Sequence, residues 1–189
     1  MVRTRRRGLA ALALLAGGGL APGILGCGAP IGSGKGGTLV AVAPARALAL
    51  TAADLPGFQV AEELAPALAA TGADDPYGRV GSYSVTFLPA ARAATRDDTT
   101  GVTSSVNTYA GAAHARAAFE AWQAAIPRQY RPDGSTIGLP PGDSAAFVRD
   151  GAILVGFRVR NVLASVRAPQ ERAAQLARTM IARIEAAAR

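Results

Sequence analysis

The sequence predicts an α+β fold: an antiparallel sheet of about five strands with two main helices packed on one face, in the order ββαβββα. Three patterns predict it. Tyr83, Val85 and Phe87 alternate with Ser82, Ser84 and Thr86, a period of two. Ala115, Ala118, Phe119, Trp122 and Ile126 recur at helical spacing, as do Ala173, Leu176, Met180, Ile181 and Ile184. Asp150-Gly151 lies between two apolar runs, the strongest short-range sign of a β-hairpin.

The first strand spans 79–88 and stops at Pro89, which has no N–H for a ladder. Residues 90–100 are polar and read as a loop. Residues 102–109, rich in Thr, Ser and Val, form the second strand. The first helix covers 111–126 and ends at Pro127. Residues 128–142 read as a turn-rich loop.

A two-residue turn at Asp150-Gly151 pairs Arg149 with Ala152, Val148 with Ile153 and Phe147 with Leu154. A second turn at Arg160-Asn161 pairs Val159 with Val162, Phe157 with Ala164 and Val155 with Val166. Both registers put Ile153, Val155, Phe157, Val159, Val162, Ala164 and Val166 on one face. The last helix runs over 169–188, with Pro169 in its first turn, Glu171 near its start and Arg183 near its end, as the helix dipole favours. Before residue 75 the patterning is weak. Asp54-Leu55-Pro56-Gly57-Phe58 reads as a turn and residues 62–70 as a short helix.

The N-terminus has a different grammar. Arg3, Arg5, Arg6 and Arg7 precede an apolar stretch, Gly8–Leu20, and then a break at Ala21-Pro22-Gly23. That order is the one expected of an export signal. The next residues, Ile24-Leu25-Gly26-Cys27, resemble the bacterial lipobox. The resemblance implies that the Cys27 thiol carries diacylglycerol, that cleavage precedes it, and that the new amino group is acylated. Cys27 is the only cysteine, so it forms no internal disulfide. Two or three acyl chains hold a protein on a membrane where one is marginal. Residues 4–9, Thr-Arg-Arg-Arg-Gly-Leu, also resemble a twin-arginine signal, although Gly8 replaces the usual bulky apolar residue.

The expected organisation is a signal peptide over 1–26, a flexible tether and lead-in over 27–48, and a single globular domain over 49–189. Gly and Ser dominate residues 28–37, the composition of a tether. Gly32-Ser33-Gly34-Lys35-Gly36 is an incomplete phosphate loop, because a glycine follows the lysine. The stretches Gly78–Phe87 and Phe157–Val162, with the last helix, resemble a group of uncharacterised envelope lipoproteins of GC-rich bacteria. That resemblance implies an extracytoplasmic α+β module and no particular activity. The group often has glycine where this chain has Arg160, which weakens the expected second turn.

The net charge of +7 overstates the folded part. Four of the 20 basic residues precede Cys27 and none of the 13 acidic ones does, so the mature charge is +3. That balance argues against a nucleic-acid partner. His114 is the only histidine, and the only cysteine is assigned to lipid, so neither a transition-metal site nor a cofactor is expected. The carboxylate pairs Glu62-Glu63, Asp74-Asp75 and Asp97-Asp98 lack the alternating oxygen ligands of a calcium loop.

One constellation suggests binding. In the hairpin register Arg149, Arg158, Arg160 and Arg167 share the face opposite the core. With helices on one side only, they form an exposed basic strip suited to anionic lipid headgroups or an envelope polymer. They also suit, and more simply, a solvated sheet face that resists aggregation. Tyr83, Tyr109 and Trp122 suit either a ligand cleft or the core. The functional expectation is a membrane-anchored, extracytoplasmic, non-catalytic binding module. The alternative is an envelope hydrolase in which a pocket joins His114 to a carboxylate and a hydroxyl.

Overall fold

The computed structural model describes residues 43–65, 75–92, 100–134, 137–140 and 142–187. The proposed signal peptide, Cys27, the glycine-rich segment, Asp74 and Asp97-Asp98 lie outside these residues. Everything described belongs to one compact unit.

The chain opens with a helical turn, α1 (Ala45–Leu48), and a 3-10 turn at Ala52–Asp54. Three strands follow: β1 (Phe58–Leu64), β2 (Arg79–Pro89) and β3 (Val102–Tyr109). Then come helix α2 (Ala112–Ala125), strands β4 (Arg131–Asp133), β5 (Ser144–Arg149), β6 (Ala152–Val159) and β7 (Val162–Pro169), and helix α3 (Gln170–Ala186). The seven strands form one antiparallel sheet in the order β1-β2-β3-β7-β6-β5-β4. Two meanders, β1–β3 and β4–β7, are therefore joined edge to edge by β3 and β7.

The α+β class, both long helices and both hairpin registers follow the sequence expectation. Two strands are additional. β1 occupies Glu62–Leu64, where a short helix is expected; residues 66–70 of that helix lie outside the description. β1 is an edge strand, mostly exposed and bulged between Val60 and Glu62, so no alternation marks it. β4 is three residues around Pro132 inside the expected loop, an edge position where a missing N–H is tolerated. Order also begins before residue 49: Leu48, Ala49 and Leu50 are buried, so the lead-in is already part of the core by Ala45.

The turn at Asp150-Gly151 has both residues at positive φ, 51° and 76°, as a type I′ hairpin turn requires. The second turn forms without glycine. Arg160 takes φ 56° itself, the left-handed region that costs a side-chain-bearing residue about 1 kcal/mol. Asn161 holds the turn: its Nδ2 donates to the Tyr109 carbonyl at 3.0 Å, and the Tyr109 N–H donates to the Asn161 carbonyl at 2.9 Å.

The helices do not share a face. α3 and the Ala45–Leu55 segment cover the side formed by Tyr83, Val85, Phe87, Val102, Val106 and the seven residues aligned by the two hairpins. α2 covers the other side, where Ala115, Ala118 and Phe119 pack with Tyr109 and Leu163. This corrects the one-face expectation. The physical reason is Gly156: its missing side chain lets the Trp122 ring lie directly on the β6 backbone, and an added Cβ would overlap that ring. Trp122 also stacks on Phe119 (5.8 Å, 15°) and meets Phe147 edge-on (5.9 Å, 71°). β6 and the start of β7, Val162–Ala164, are consequently buried on both faces, whereas the rest of β7, like β2 and β3, alternates.

Polar bonds tie the N-terminal segment to α3. Arg183 donates to the Ala49 carbonyl and, through Nη2, to both oxygens of Asp54 at 2.9 and 3.0 Å. Asp54 also accepts from the Thr51 N–H at 2.7 Å and from the Thr51 hydroxyl at 2.9 Å, closing a capping box. Buried Ser104 accepts from the Leu50 N–H at 3.2 Å and donates to the Met180 sulfur at 3.4 Å. For the Asp54 carboxyl, burial acts to raise the pKa. The Thr51 and Arg183 bonds outweigh it and hold the group below its ordinary 3.8.

Two outcomes follow. Gly156→Ala is expected to destabilise the fold by about 1–3 kcal/mol and to red-shift the emission of Trp122, the only tryptophan, as α2 is pushed off the sheet. Thermal melts followed by fluorescence measure both. The folded state binds a proton at Asp54 more weakly than the unfolded chain, so its stabilisation is complete above the unfolded value of 3.8. It is lost as pH falls through the lower folded value. Urea midpoints taken from pH about 6 down to about 2 should fall less steeply for Arg183→Gln than for the parent.

Candidate functional site

α2 begins at Gly111, an extended N-cap residue with no side-chain cap. Its first-turn N–H groups therefore lack the side-chain acceptor that Ser, Thr, Asp or Asn supplies at this position. On the flank that does not touch the sheet core, Ala112, Ala113, Arg116, Ala117 and Glu120 form a stripe along the helix. Together with Arg158 of β6 they line an open cavity of about 410 Å³.

Arg158 reaches this cavity because β6 places it on the α2 face, opposite Leu163 of β7. Its main-chain N–H donates to the Asp143 carbonyl at 2.8 Å, and its Nη2 is ion-paired with the Asp143 carboxylate. The Arg158 side chain is only 10% exposed, and its Nε is buried without a hydrogen-bond partner. A buried charged donor left unpaired is uncommon in folded proteins, and here the guanidinium is held by its other nitrogen on Asp143. Arg116, one turn into α2, is exposed.

The four expected arginines do lie on or beside the face opposite α3, but they do not form an open strip. α2 lies over β6 and β7 and divides them. Arg149 pairs with Asp150 through Nε at 3.0 Å and sits 5.6 Å from the Tyr130 ring centre. It borders a second, smaller depression of about 220 Å³ with Gln129, Arg131, Val148 and Asp150. Arg160 occupies the β6–β7 turn, with Nη1 buried and without a hydrogen-bond partner. Arg167 is half-buried on β7, opposite Leu154 and Thr103. Sequence reasoning missed Arg116, Glu120 and Asp143. Arg116 and Glu120 carry the helical spacing of the exposed α2 face, and that spacing was legible once α2 was placed.

The aromatic trio does not share a cleft. Tyr83 belongs to the α3-side core and Tyr109 to the α2-side core, and Trp122 rests on Gly156. Burial, reinforced by nearby Asp75 and only partly offset by Arg79, pushes the Tyr109 hydroxyl up to about 12. His114 is exposed on α2, packed beside Gly78 and Gly111, and is not among the residues lining either cavity. Of the acidic pairs, Glu63 meets Arg46 at 3.2 Å on the surface, and Asp75 meets Arg79 at 2.9 Å under cover. Among the described residues no three of His, Cys, Asp and Glu come together as a metal site, and no helix is long and apolar enough to cross a membrane.

Comparison with known proteins finds no matching family model, no matching curated protein and no matching solved structure.

Asp143→Ala leaves the Arg158 guanidinium buried beside the cavity without its counter-charge. The expected cost is about 1–3 kcal/mol in urea unfolding. Asp150→Asn, which removes the charge of Arg149's exposed partner but keeps a side chain suited to the positive φ of the turn, is expected to change stability by less than about 0.5 kcal/mol.

Proposed function

We propose that the chain is an exported bacterial lipoprotein, held on the extracytoplasmic face of the cell membrane by acyl chains on Cys27. Its folded domain is a non-catalytic module that binds an anionic partner, either anionic lipid headgroups or an envelope polymer. The observation that carries the reading is Ile24-Leu25-Gly26-Cys27, standing directly after an arginine-rich start and an apolar stretch, with the sole cysteine at the one position where a thiol has this use.

Two features support the binding role. The larger cavity is lined by Arg158, already paired with Asp143, by the Glu120 carboxylate and by Arg116, and the exposed Arg116 is the guanidinium placed to meet an anion. The sheet face beyond α2 carries paired polar side chains, with the Ser82 hydroxyl donating to Asn107 Oδ1 and hydroxyl pairs between Ser84 and Ser105 and between Thr86 and Thr103, so these groups are already partnered. Of the four arginines first considered, Arg158 is central to this reading. Arg149, Arg160 and Arg167 lie at its margins.

Mass spectrometry of the protein isolated from its own envelope tests the anchor. A mature chain that starts at Cys27 and carries acyl mass is the expected result. Cys27→Ser should move the protein from the membrane to the aqueous fraction. A mature form without acyl mass, or one starting at another residue, overturns the reading.

A further inference from the structure

We propose that β1 is a dimerisation edge. Two copies of the chain pair their β1 strands antiparallel about a twofold axis between Val60 and Ala61, joining two sheets into one. This surface is separate from the α2 cavity, and the inference stands whether or not Cys27 is acylated.

The edge is open. β1 ends the sheet on one side, and every residue of it after Phe58 is exposed. An edge strand turns a row of N–H and C=O groups outward, a template for another strand. Among the described residues the exposed large apolar side chains are Val60, Leu64 and Val80, so two stand on β1 and the third on its neighbour β2. β1 holds no proline or lysine to ward off a partner. β4, at the opposite edge, is three residues long and carries Pro132.

The occupant is a second copy because the strand is complementary to itself. Phe58, Val60 and Glu63 lie opposite Pro89, Phe87 and Val85, on the α3 face. Gln59, Glu62 and Leu64 lie opposite Leu88, Thr86 and Ser84, on the other face. In a regular strand, faces match across a twofold axis only when residues of equal parity meet. The bulge at Ala61 shifts the parity, so residues before it match residues after it. About the proposed axis Phe58 meets the partner's Glu63, Gln59 meets the partner's Glu62, and Val60 meets the partner's Ala61.

The chemistry of these pairs agrees. Arg172 of α3 lies exposed over the Phe58 ring, 5.2 Å from its centre, where it faces the partner's Glu63. Glu63 also bonds Arg46 within its own copy, and a carboxylate has acceptor sites for both guanidinium groups. The Gln59 amide stands beside a carboxylate, and the axis itself is aliphatic. Moving the axis to between Ala61 and Glu62 keeps the faces but brings the two Glu62 carboxylates together, a repulsion that the first register avoids. Such an isologous pairing stops at two copies.

The full-length Cys27→Ser chain, which has no other cysteine, tests the pairing. Sedimentation equilibrium is expected to give twice the chain's mass by about 100 μM. Val60→Lys, at an exposed site, should give a monomer with an unchanged circular dichroism spectrum. Arg172→Glu and Glu63→Arg should each weaken the dimer about tenfold, and the two together should restore it. Within one copy these side chains stand at opposite ends of β1, so only pairing between copies explains such a rescue. Gln59→Cys combined with Glu62→Cys should oxidise to a disulfide-linked dimer, because the two positions are too far apart along one strand to bridge. A chain that stays monomeric leaves the edge to a different strand and overturns the proposal. A dimer that persists in Val60→Lys, or that the double exchange fails to restore, overturns it as well.

Discussion

The contact of Trp122 with the bare backbone at Gly156 is the constraint on which the arrangement turns. It brings α2 close enough to β6 for Phe119, Ala115 and Ala118 to reach Leu163 and Tyr109. It also fixes the flank of α2 that remains outside, and so creates the space between the helix and Arg158. With α3 on the opposite side, the β6–β7 hairpin becomes the middle layer of three. β6 and the start of β7 bury both faces, and burial of their apolar side chains is a stabilising contribution. β2 and β3 are covered on one side by Ala45–Leu55 and present hydroxyl ladders on the other.

How much of this was legible follows from local physics. β2 and β3 could be read because one face is polar, and a period of two survives only under that condition. Both hairpins could be read because turn residues and side-chain parity fixed one register. The second turn formed even though Arg160 stands where glycine is favoured, because Asn161 and Tyr109 clamp it from the side. The one-face placement of the helices failed for a reason visible in the same letters. Ala152-Ile153-Leu154-Val155-Gly156-Phe157 contains no polar residue on either parity. Such a run is what a strand covered on both sides requires. Reading only the parity of its large residues hid that second layer.

The candidate site was less legible than the fold. Arg158 emerged from hairpin register alone, but its neighbours come from α2, some forty residues earlier in the chain, and only the docking of that helix unites them. The open strip of four arginines dissolved because register specifies a face and says nothing of what covers it. Burial and Asp143 then separated Arg158 from the other three.

The seam between β3 and β7 has a consequence for how the molecule is made. Each meander is stitched from neighbours in sequence, but the sheet as a whole is closed by one pairing between Thr103–Thr108 and Val162–Arg167. The partner for β3 is thus the last strand to leave whatever pore or ribosome delivers the chain. Until it arrives, Val102, Ser104 and Val106 stand on an open edge, and half a sheet must wait in a state prone to wrong liaisons. A chain that loses its final tail in transit would hold two orphaned ribbons in place of a protein.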